Sequence, residues 1–584
     1  MANKIIMSLV SLVLVVGAVL GVVALVVKSG GDSDKNVSTS TKNSVCKPTE
    51  YKDACNKVLA DVDKNSSATH EDYIIASIRA TADELQKALE KASDAKKEKD
   101  QDSLSHRDLE SCEKMLGYAT DELQQVLKVV SETQATSLVE QIDPILVWLT
   151  AVRAYQTTCI DEIRDEKLKE DMQRGLAISN ELTFNAQKIF YNVIEIFKDI
   201  GIDLGDFKIP STGHRRLLDE LHEIEHSGFP AWVPTTDRKL LGAKSKAKKP
   251  KGQAIFKTPP PPPLPATVTP NAVVAQDGSG KFKGIKQALA AYPPNQQGRY
   301  IIYIKAGIYN EGQIIIEKTQ SNVYMYGDGR DKTIITGSLN FAIAKIGTSQ
   351  TATVAALGER FMAKGICFRN TIGPAGHQAV AFRSQSPHTV MMDCSFEGYQ
   401  DTLYYHTHDQ FYKNCAISGT VDFIFGTGRA FIQDSQIFVN KPDKNQANMV
   451  TADGRMKFEE AGGVVLHNCK IMASAELAPE KAQIATYLGR PWKASATSVI
   501  MLCDIGDMVR PEGWTPWESP EGKNNHMTCM FREYGNKGPG SNTAGRVKWP
   551  SVKVIQNERE AIGFTAGTFM PWLPQYGVNA NLGL

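Results

Sequence analysis

Apolar and polar positions follow two different periods along this chain, and the change falls near residue 206. From residue 44 to about 205, segments such as HEDYIIASIRATADELQKALEKA and DELQQVLKVVSETQATSLVEQIDPILVWLTAVRAYQTTCIDEI repeat apolar residues at three- and four-residue steps. They hold no glycine and a single proline, Pro144. Several amphipathic helices in a row, packed as an antiparallel bundle, are the expected result. From about residue 270 the period shortens. RYIIYIKAG, NVYMYGDG, KTIITG, VMMDCSFEG, FYKNCAISG, FIQDSQIFV and VVLHNCKIMA are short β-rich runs at close intervals.

Four of these runs share one form: a hydrophobic pair, one or two residues, Asp or Asn, Cys or Ser, any residue, then Ile or Phe. Their Cys/Ser positions are Cys394, Cys415, Ser435 and Cys469, with Cys367 a looser match. The steps between them, starting at Cys367, are 27, 21, 20 and 34 residues. An irregular period of that size, with strands and turns in every unit, predicts a β-solenoid rather than a sandwich or Greek-key barrel. The cysteines then form an internal ladder of small buried side chains. A bond between Cys367 and Cys394, on adjacent coils, is compatible with it.

The solenoid period gives meaning to two aspartates. Asp401 and Asp422 are 21 residues apart, the step that separates Cys394 from Cys415. They belong to neighbouring coils, which lie about 4.8 Å apart. Gln378 sits 22 residues before Gln400 and so one coil earlier. The expected column is Gln378, then Gln400 with Asp401, then Asp422. Two carboxylates that close cannot both ionise cheaply, so one is held protonated as an acid and the other stays charged. Amides beside them can donate to a developing oxyanion. Such a set serves acyl transfer from an ester, with no metal and no cofactor. Polar ladders on the outside of a solenoid are the structural alternative.

The formal net charge of +1 conceals a division. Residues 29–241 carry 27 basic against 39 acidic residues, a net of −12, and residues 242–584 carry 37 against 26, a net of +11. The basic half suits a polyanion. Between the halves, residues 206–269 read as a linker that cannot build a core. It holds HRRLLDE, DRKLLG, a lysine-rich run and PPPPPLP. The two copies of basic-basic-Leu-Leu, at Arg215-Arg216 and Arg238-Lys239, suggest proteolytic processing. Ahead of everything, residues 5–27 are 23 uncharged residues between Lys4 and Lys28. As a helix they reach roughly 35 Å, enough to cross a bilayer. A signal anchor within residues 1–28 is expected, with a cleaved signal peptide as the alternative. Both send the chain into the secretory pathway, where the sequons at Asn36 and Asn65 can be glycosylated. Cys46, Cys55, Cys112 and Cys159 are an even set that suggests two disulfides in that compartment. No Cys or His cluster has zinc spacing; His406-Thr-His408-Asp409 reads as a polar loop.

Five ordered segments carry a resemblance: GIYNE (307–311), HQAVAF (377–382), GYQDTL (398–403), GTVDFIFG (419–426) and YLGRPW (487–492). They strongly resemble the signatures of plant pectin methylesterases, over about residues 270–584. The resemblance implies a right-handed parallel β-helix that hydrolyses the C6 methyl esters of homogalacturonan in the cell wall. Residues 44–205 resemble the pectin methylesterase inhibitor domain, a four-helix bundle whose disulfides would join Cys46 to Cys55 and Cys112 to Cys159. The implied roles are Asp422 as nucleophile, Asp401 as general acid and later base, and Gln378 and Gln400 as oxyanion stabilisers. Arg490 would hold Asp422 ionised, Trp492 would stack on a galacturonate ring and Thr348 would contact substrate. Tyr404, Phe425, Tyr487 and Trp517 would be further groove aromatics, with core packing as the alternative, most of all for Phe425. Implied partners are pectin, inhibitor proteins and a subtilisin-like processing protease, with no nucleic acid.

The chain departs from the family pattern at Phe382, where Leu is usual, and at Ser349, where a groove aromatic is expected. YYHTHDQFYKN also replaces a more basic segment. Pectate lyases and polygalacturonases share the solenoid and the polymer, but the acidic Ca²⁺ ligands of the first and the aspartate cluster of the second are not seen. A purely inhibitory or wall-binding protein would not need the catalytic column.

Overall fold

In the computed structural model, residues 41–65, 67–202, 269–576 and 578–584 are described. Asn36, the apolar segment 5–27 and the basic pairs Arg215-Arg216 and Arg238-Lys239 lie outside them. Among the described residues no helix is long and apolar enough to cross a membrane.

The first part is built on four long helices: α1 (His70–Lys97), α2 (Leu104–Glu132), α3 (Ile142–Asp161) and α4 (Glu166–Tyr191). Three start on caps legible in the sequence. Thr69 and Asp72 form a reciprocal capping box, and Ser103 and Asp165 accept from backbone N–H groups of α2 and α4. Pro144 falls in the first turn of α3, where a missing N–H removes no helical hydrogen bond. Each helix packs on two others, α1 on α2 and α4, α3 on α2 and α4, closing a four-helix bundle. Disulfides join Cys46 to Cys55 and Cys112 to Cys159, the second tying α2 to α3. Helix α3 is apolar on almost every side because it is covered twice. Ile145, Leu149 and Val152 are buried in the bundle, while Thr150, Tyr155 and Thr158 meet the second part of the protein.

That second part is a parallel β-helix. Among the described residues its strands form sheets of eleven, eight and seven strands, in which each strand is hydrogen-bonded to the strands one coil before and after. The interior repeats once per coil: Phe396, Ile417, Ile437, Ile471 and Ile505 stand in register along the eight-stranded sheet. The shared sequence form now has a physical cause. Asp393, Asn414, Asp434 and Asn468 all adopt left-handed backbone, with φ of 53°, 55°, 52° and 54°, at the corner between two sheets. Asp and Asn tolerate that conformation best among residues other than glycine. The Cys or Ser that follows turns inward, and the ladder runs one rung further than its motif suggests, to Cys503 opposite Cys469.

Cys367 is the exception, and the bond considered between Cys367 and Cys394 is not formed; both are free thiols. Cys367 pairs with Ser395, not with Cys394. A shift of one residue sends a side chain to the opposite face of the strand. Ile366 and Phe368 therefore point into the core on either side of Cys367, while Cys394 is itself a core residue. Phe382 also joins the core, its ring centroid 5.0 Å from Phe368 and 5.5 Å from Phe396. Phe396 in turn stacks on Phe368 at 5.5 Å. Phe396→Ala is expected to cost about 3–5 kcal/mol of stability, read as a lowered denaturant midpoint at unchanged slope.

Candidate active site

The seven-stranded sheet consists of β1 (Ile314–Ile316), β2 (Val354–Ala356), β3 (Phe382–Ser384), β4 (Leu403–Tyr405), β5 (Ile424–Gly426), β6 (Asn448–Asp453) and β7 (Thr486–Gly489), in that spatial order. The turns that enter successive strands make up one edge of its outer face. Thr348 precedes β2, Gln378 precedes β3, Gln400 and Asp401 precede β4, and Asp422 precedes β5. Leu403 pairs with Ile424, so Asp401 and Asp422, each two residues earlier, occupy equivalent places one coil apart. The Asp401 N–H donates to the Val421 carbonyl at 3.0 Å. Both aspartates take left-handed backbone, φ 62° and 51°. They stand in turns, not in strands, which is why carboxylates interrupt a run of β-formers.

The two environments differ. Asp422 is held in a fork by Arg490, with Nε to Oδ1 at 2.8 Å and Nη2 to Oδ2 at 2.6 Å. Arg490, just past β7, is itself packed over Trp517, its guanidinium carbon 4.2 Å from the ring centroid. Burial pushes the Asp422 carboxyl up from the usual range, and the Arg490 charge and hydrogen bonds work against that. Asp401 has no such fork. Burial first and the neighbouring Asp422 charge second push it well above the ordinary carboxylate value. Both carboxyls are raised by burial, but only Asp422 has the Arg490 fork opposing the rise, so a proton shared by the pair is favoured on Asp401. Gln378 and Gln400 are half-buried beside it. The Ala379 N–H donates to the Gln400 carbonyl, so the glutamines are one residue out of strict register.

Aromatic rings line the same face. Tyr404 stacks on Phe425 at 4.2 Å, and Trp492 lies 6.2 Å from Phe425. With Trp517 they join a cluster on the outer face, separate from the core of the helix. Phe425 is thus a groove residue and not a core one. Tyr487 is half-buried on β7, opposite Met449.

The bundle covers this face. The Thr158 hydroxyl is 2.9 Å from His406 Nε2, the Tyr155 hydroxyl 3.1 Å from Thr407 Oγ1, and Glu122 Oε1 3.1 Å from Lys318 and 3.4 Å from His408 Nε2. Asp143 bonds Arg429 with both oxygens at 2.8 Å, and Arg429 also holds Asp409 at 2.7 Å through each of two nitrogens. Arg153 bonds Glu460 at 2.7 Å and Lys188 bonds Glu459 at 2.5 Å. Burial works against the charge of Glu122, yet His408 and Lys318 bring its carboxyl down to about 2. Burial, followed by the charges of Arg383 and His408, keeps His406 well below its ordinary value. Within YYHTHDQFYKN, where the family pattern is more basic, His406, Thr407 and His408 thus meet the bundle. Asp409 and Arg429, one coil apart, pair in register within the β-helix and set the guanidinium that Asp143 meets.

Comparison with known proteins decides the family. The Pectinesterase family model matches residues 271–572, and the plant invertase/pectin methylesterase inhibitor model matches residues 40–189. The chain belongs to the pectinesterase family. It is 38% identical over 616 residues to "Pectinesterase 4" of Arabidopsis thaliana, with both chains fully covered. It is 38% identical over 594 residues, again with both fully covered, to a "Probable pectinesterase/pectinesterase inhibitor" of Brassica napus. The solved pectin methylesterase from carrot is 43% identical with a TM-score of 0.53, covering 55% of this chain and 100% of the carrot chain. This pectinesterase is therefore a carboxylic ester hydrolase acting on pectin, with an inhibitor-like helical domain ahead of the catalytic β-helix.

Proposed function

We propose that the enzyme demethylates pectin through an acyl-enzyme on Asp422 and that its own bundle restrains it until the linker is cut. Asp422 attacks the C6 ester carbonyl of a galacturonate, Gln378 and Gln400 donate to the oxyanion, and Asp401 gives its proton to departing methanol. Water, deprotonated by Asp401, then opens the Asp422–acyl bond and leaves a pectate carboxylate with Asp422 restored. Trp492, Thr348, Tyr404, Tyr487 and Trp517 hold the sugars, and Arg490 keeps Asp422 ionised and aimed. The observation that carries this reading is the division of the stacked pair by the Arg490 fork. Methanol release matched mole for mole by new carboxylates, without unsaturated or reducing ends, tests it; a chain-cleaving product pattern would refute it.

A pH profile follows with a definite sign. The competent form has Asp422 ionised and Asp401 protonated. Activity falls on the basic side as Asp401, raised well above the ordinary carboxylate value, loses its proton. On the acidic side it falls as Asp422, raised by burial, gains one. Arg490→Lys keeps a charge but not the fork, so the acidic limb should move up by about one pH unit or more. An acidic limb unchanged in Arg490→Lys would remove Arg490 from that role.

The remaining parts of the proposal concern the precursor. The N-terminal apolar segment carries the chain into the secretory pathway toward the cell wall, with Asn36 and Asn65 as glycosylation sites. A subtilisin-like protease cuts at Arg215-Arg216 or Arg238-Lys239, and before that the segment retains the precursor in a membrane. Free inhibitor proteins of the same helical family bind the exposed groove afterwards. Support for restraint by the bundle comes from its ion pairs and hydrogen bonds on the outer face of β3–β5 and the flanking loops.

A further inference from the structure

The ladder inside the β-helix is held by more than packing. Along it a backbone N–H donates to the side chain one coil on: Cys415 N–H to Ser435 Oγ at 3.0 Å, Cys469 N–H to Cys503 Sγ at 3.4 Å and Cys503 N–H to Asn536 Oδ1 at 2.9 Å. Ser435 divides the sulfurs into two pairs of neighbours, Cys394 with Cys415 and Cys469 with Cys503, each pair one coil apart. All four sulfurs reach backbone carbonyls at 3.2 to 3.6 Å, but only Cys469 and Cys503 also bond thiol to thiol. Burial first and that contact second push the Cys469 thiol well above its ordinary value.

The backbone at this pair already suits a disulfide. Lys470 pairs with Asp504, so Cys469 and Cys503, each one residue earlier, stack at the strand spacing of about 4.8 Å, within the Cα range that such a bond tolerates. The bundle shows that this chain forms disulfides, at Cys46–Cys55 and Cys112–Cys159, which places its folding where thiols are oxidised. The location has a consequence for the site. Cys469 and Cys503 are 34 residues apart, and the coil between them carries β7, Arg490 and Trp492. The eight-stranded sheet ends at that coil with only two residue pairs, Lys470 with Asp504 and Ile471 with Ile505.

We infer that Cys469 and Cys503, free thiols in this structure, are joined by a disulfide in the secreted enzyme, and that this bond fixes the coil presenting Arg490 to Asp422. The step rests on the proposed secretory route, which supplies the oxidant. Both S–H bonds break and one Sγ–Sγ bond forms; the two electrons and two protons pass to the disulfide of a thiol-disulfide carrier, which becomes two thiols. Cys503 is 0% and Cys469 1% exposed, and thiols so enclosed hold too little thiolate to react. The bond therefore forms during folding, before the edge strand Asp504–Ile505 docks, and is shielded from reductants afterwards. Cys367, Cys394, Cys415 and Cys529 stay free.

The test is peptide mapping of the full chain purified from secreting cells without reductant, its free thiols alkylated as it is denatured. The expected map joins Cys469 to Cys503 and shows Cys367, Cys394, Cys415 and Cys529 alkylated. Cys503→Ser removes the bond but keeps an acceptor for the Cys469 N–H. With the linker cut, its initial rate of methanol release should equal the parent's, while the half-life of that activity at a fixed elevated temperature shortens about tenfold. Alkylated Cys469 and Cys503 beside intact Cys46–Cys55 and Cys112–Cys159 bonds would overturn the inference, as would a bond between any other two of the six. Alkylation of all ten cysteines would overturn the secretory route together with it. An unchanged half-life in Cys503→Ser would overturn the role of the bond in holding the Arg490 coil.

Discussion

Asp422→Asn is expected to abolish turnover, lowering kcat for methanol release by on the order of 10⁴-fold while the protein stays folded. The choice of asparagine matters. Residue 422 has φ 51°, where alanine would be strained and asparagine is tolerated. Asparagine has the same shape and keeps one oxygen for the Arg490 fork, so thermal unfolding and the circular dichroism spectrum should change little. What it removes is the anionic nucleophile, and in enzymes with covalent intermediates the loss of that one group costs about as much as the loss of the whole catalytic set. Asp401→Asn is the companion measurement. It leaves a hydrogen-bond donor near the leaving oxygen but no transferable proton, for an expected loss of about 10²–10⁴-fold. The asymmetry between the variants is informative. Removing the Asp401 proton slows departure of methanol, and a better leaving alcohol should restore a first-turnover burst of alcohol in Asp401→Asn, with steady-state turnover still slow for want of the base that activates water, and no burst in Asp422→Asn. If Asp422→Asn kept more than a tenth of the parent kcat, the acyl-enzyme would have to be abandoned.

The column of carboxylates was legible because a solenoid converts sequence spacing into spatial stacking. Twenty-one residues means one coil both for Cys394 and Cys415 and for Asp401 and Asp422, and the registers of β3, β4 and β5 follow that step. The same arithmetic misplaced Cys367. A ladder position depends on strand register to a single residue, and GICFRN sits one residue off, which moves the thiol to the opposite face. What spacing could not supply is any contact between the two halves. Glu162 meets Ser349 across 187 residues and Asp143 meets Arg429 across 286, and no period links a helical stretch to a β one. Only the opposite net charges hinted at the docking. They gave its sign but not its address, since the contacts fall on a few residues whose neighbours in sequence look like ordinary loops.

Cutting the linker is expected to raise methanol release by about 10²-fold or more, and Asp143→Ala in the uncut chain should raise it by roughly 30-fold. The bundle and β-helix are joined by 66 residues, 203–268, so the tethered bundle acts at an effective concentration near the millimolar range. An interface of only micromolar affinity would then leave about one chain in a thousand open, and activity in the uncut protein would track that fraction. Asp143 is a good lever because Arg429 keeps Asp409 after the substitution, so the β-helix loses no internal partner. What disappears is a two-bond pair across the interface, in which each charge-assisted bond contributes about 1.5–3 kcal/mol. A loss of about 2 kcal/mol weakens docking roughly 30-fold, and the open fraction, still small, rises in proportion. The order expected is uncut parent, uncut Asp143→Ala, then cut parent, with Asp143→Ala giving no further gain once the linker is severed and the bundle diluted away. That last arm separates release from a direct effect on catalysis: Asp143 lies in the bundle and has nothing to contribute to the freed enzyme. Equal activity of the uncut and cut parent chains would mean that the helical domain covers the groove without restraining it.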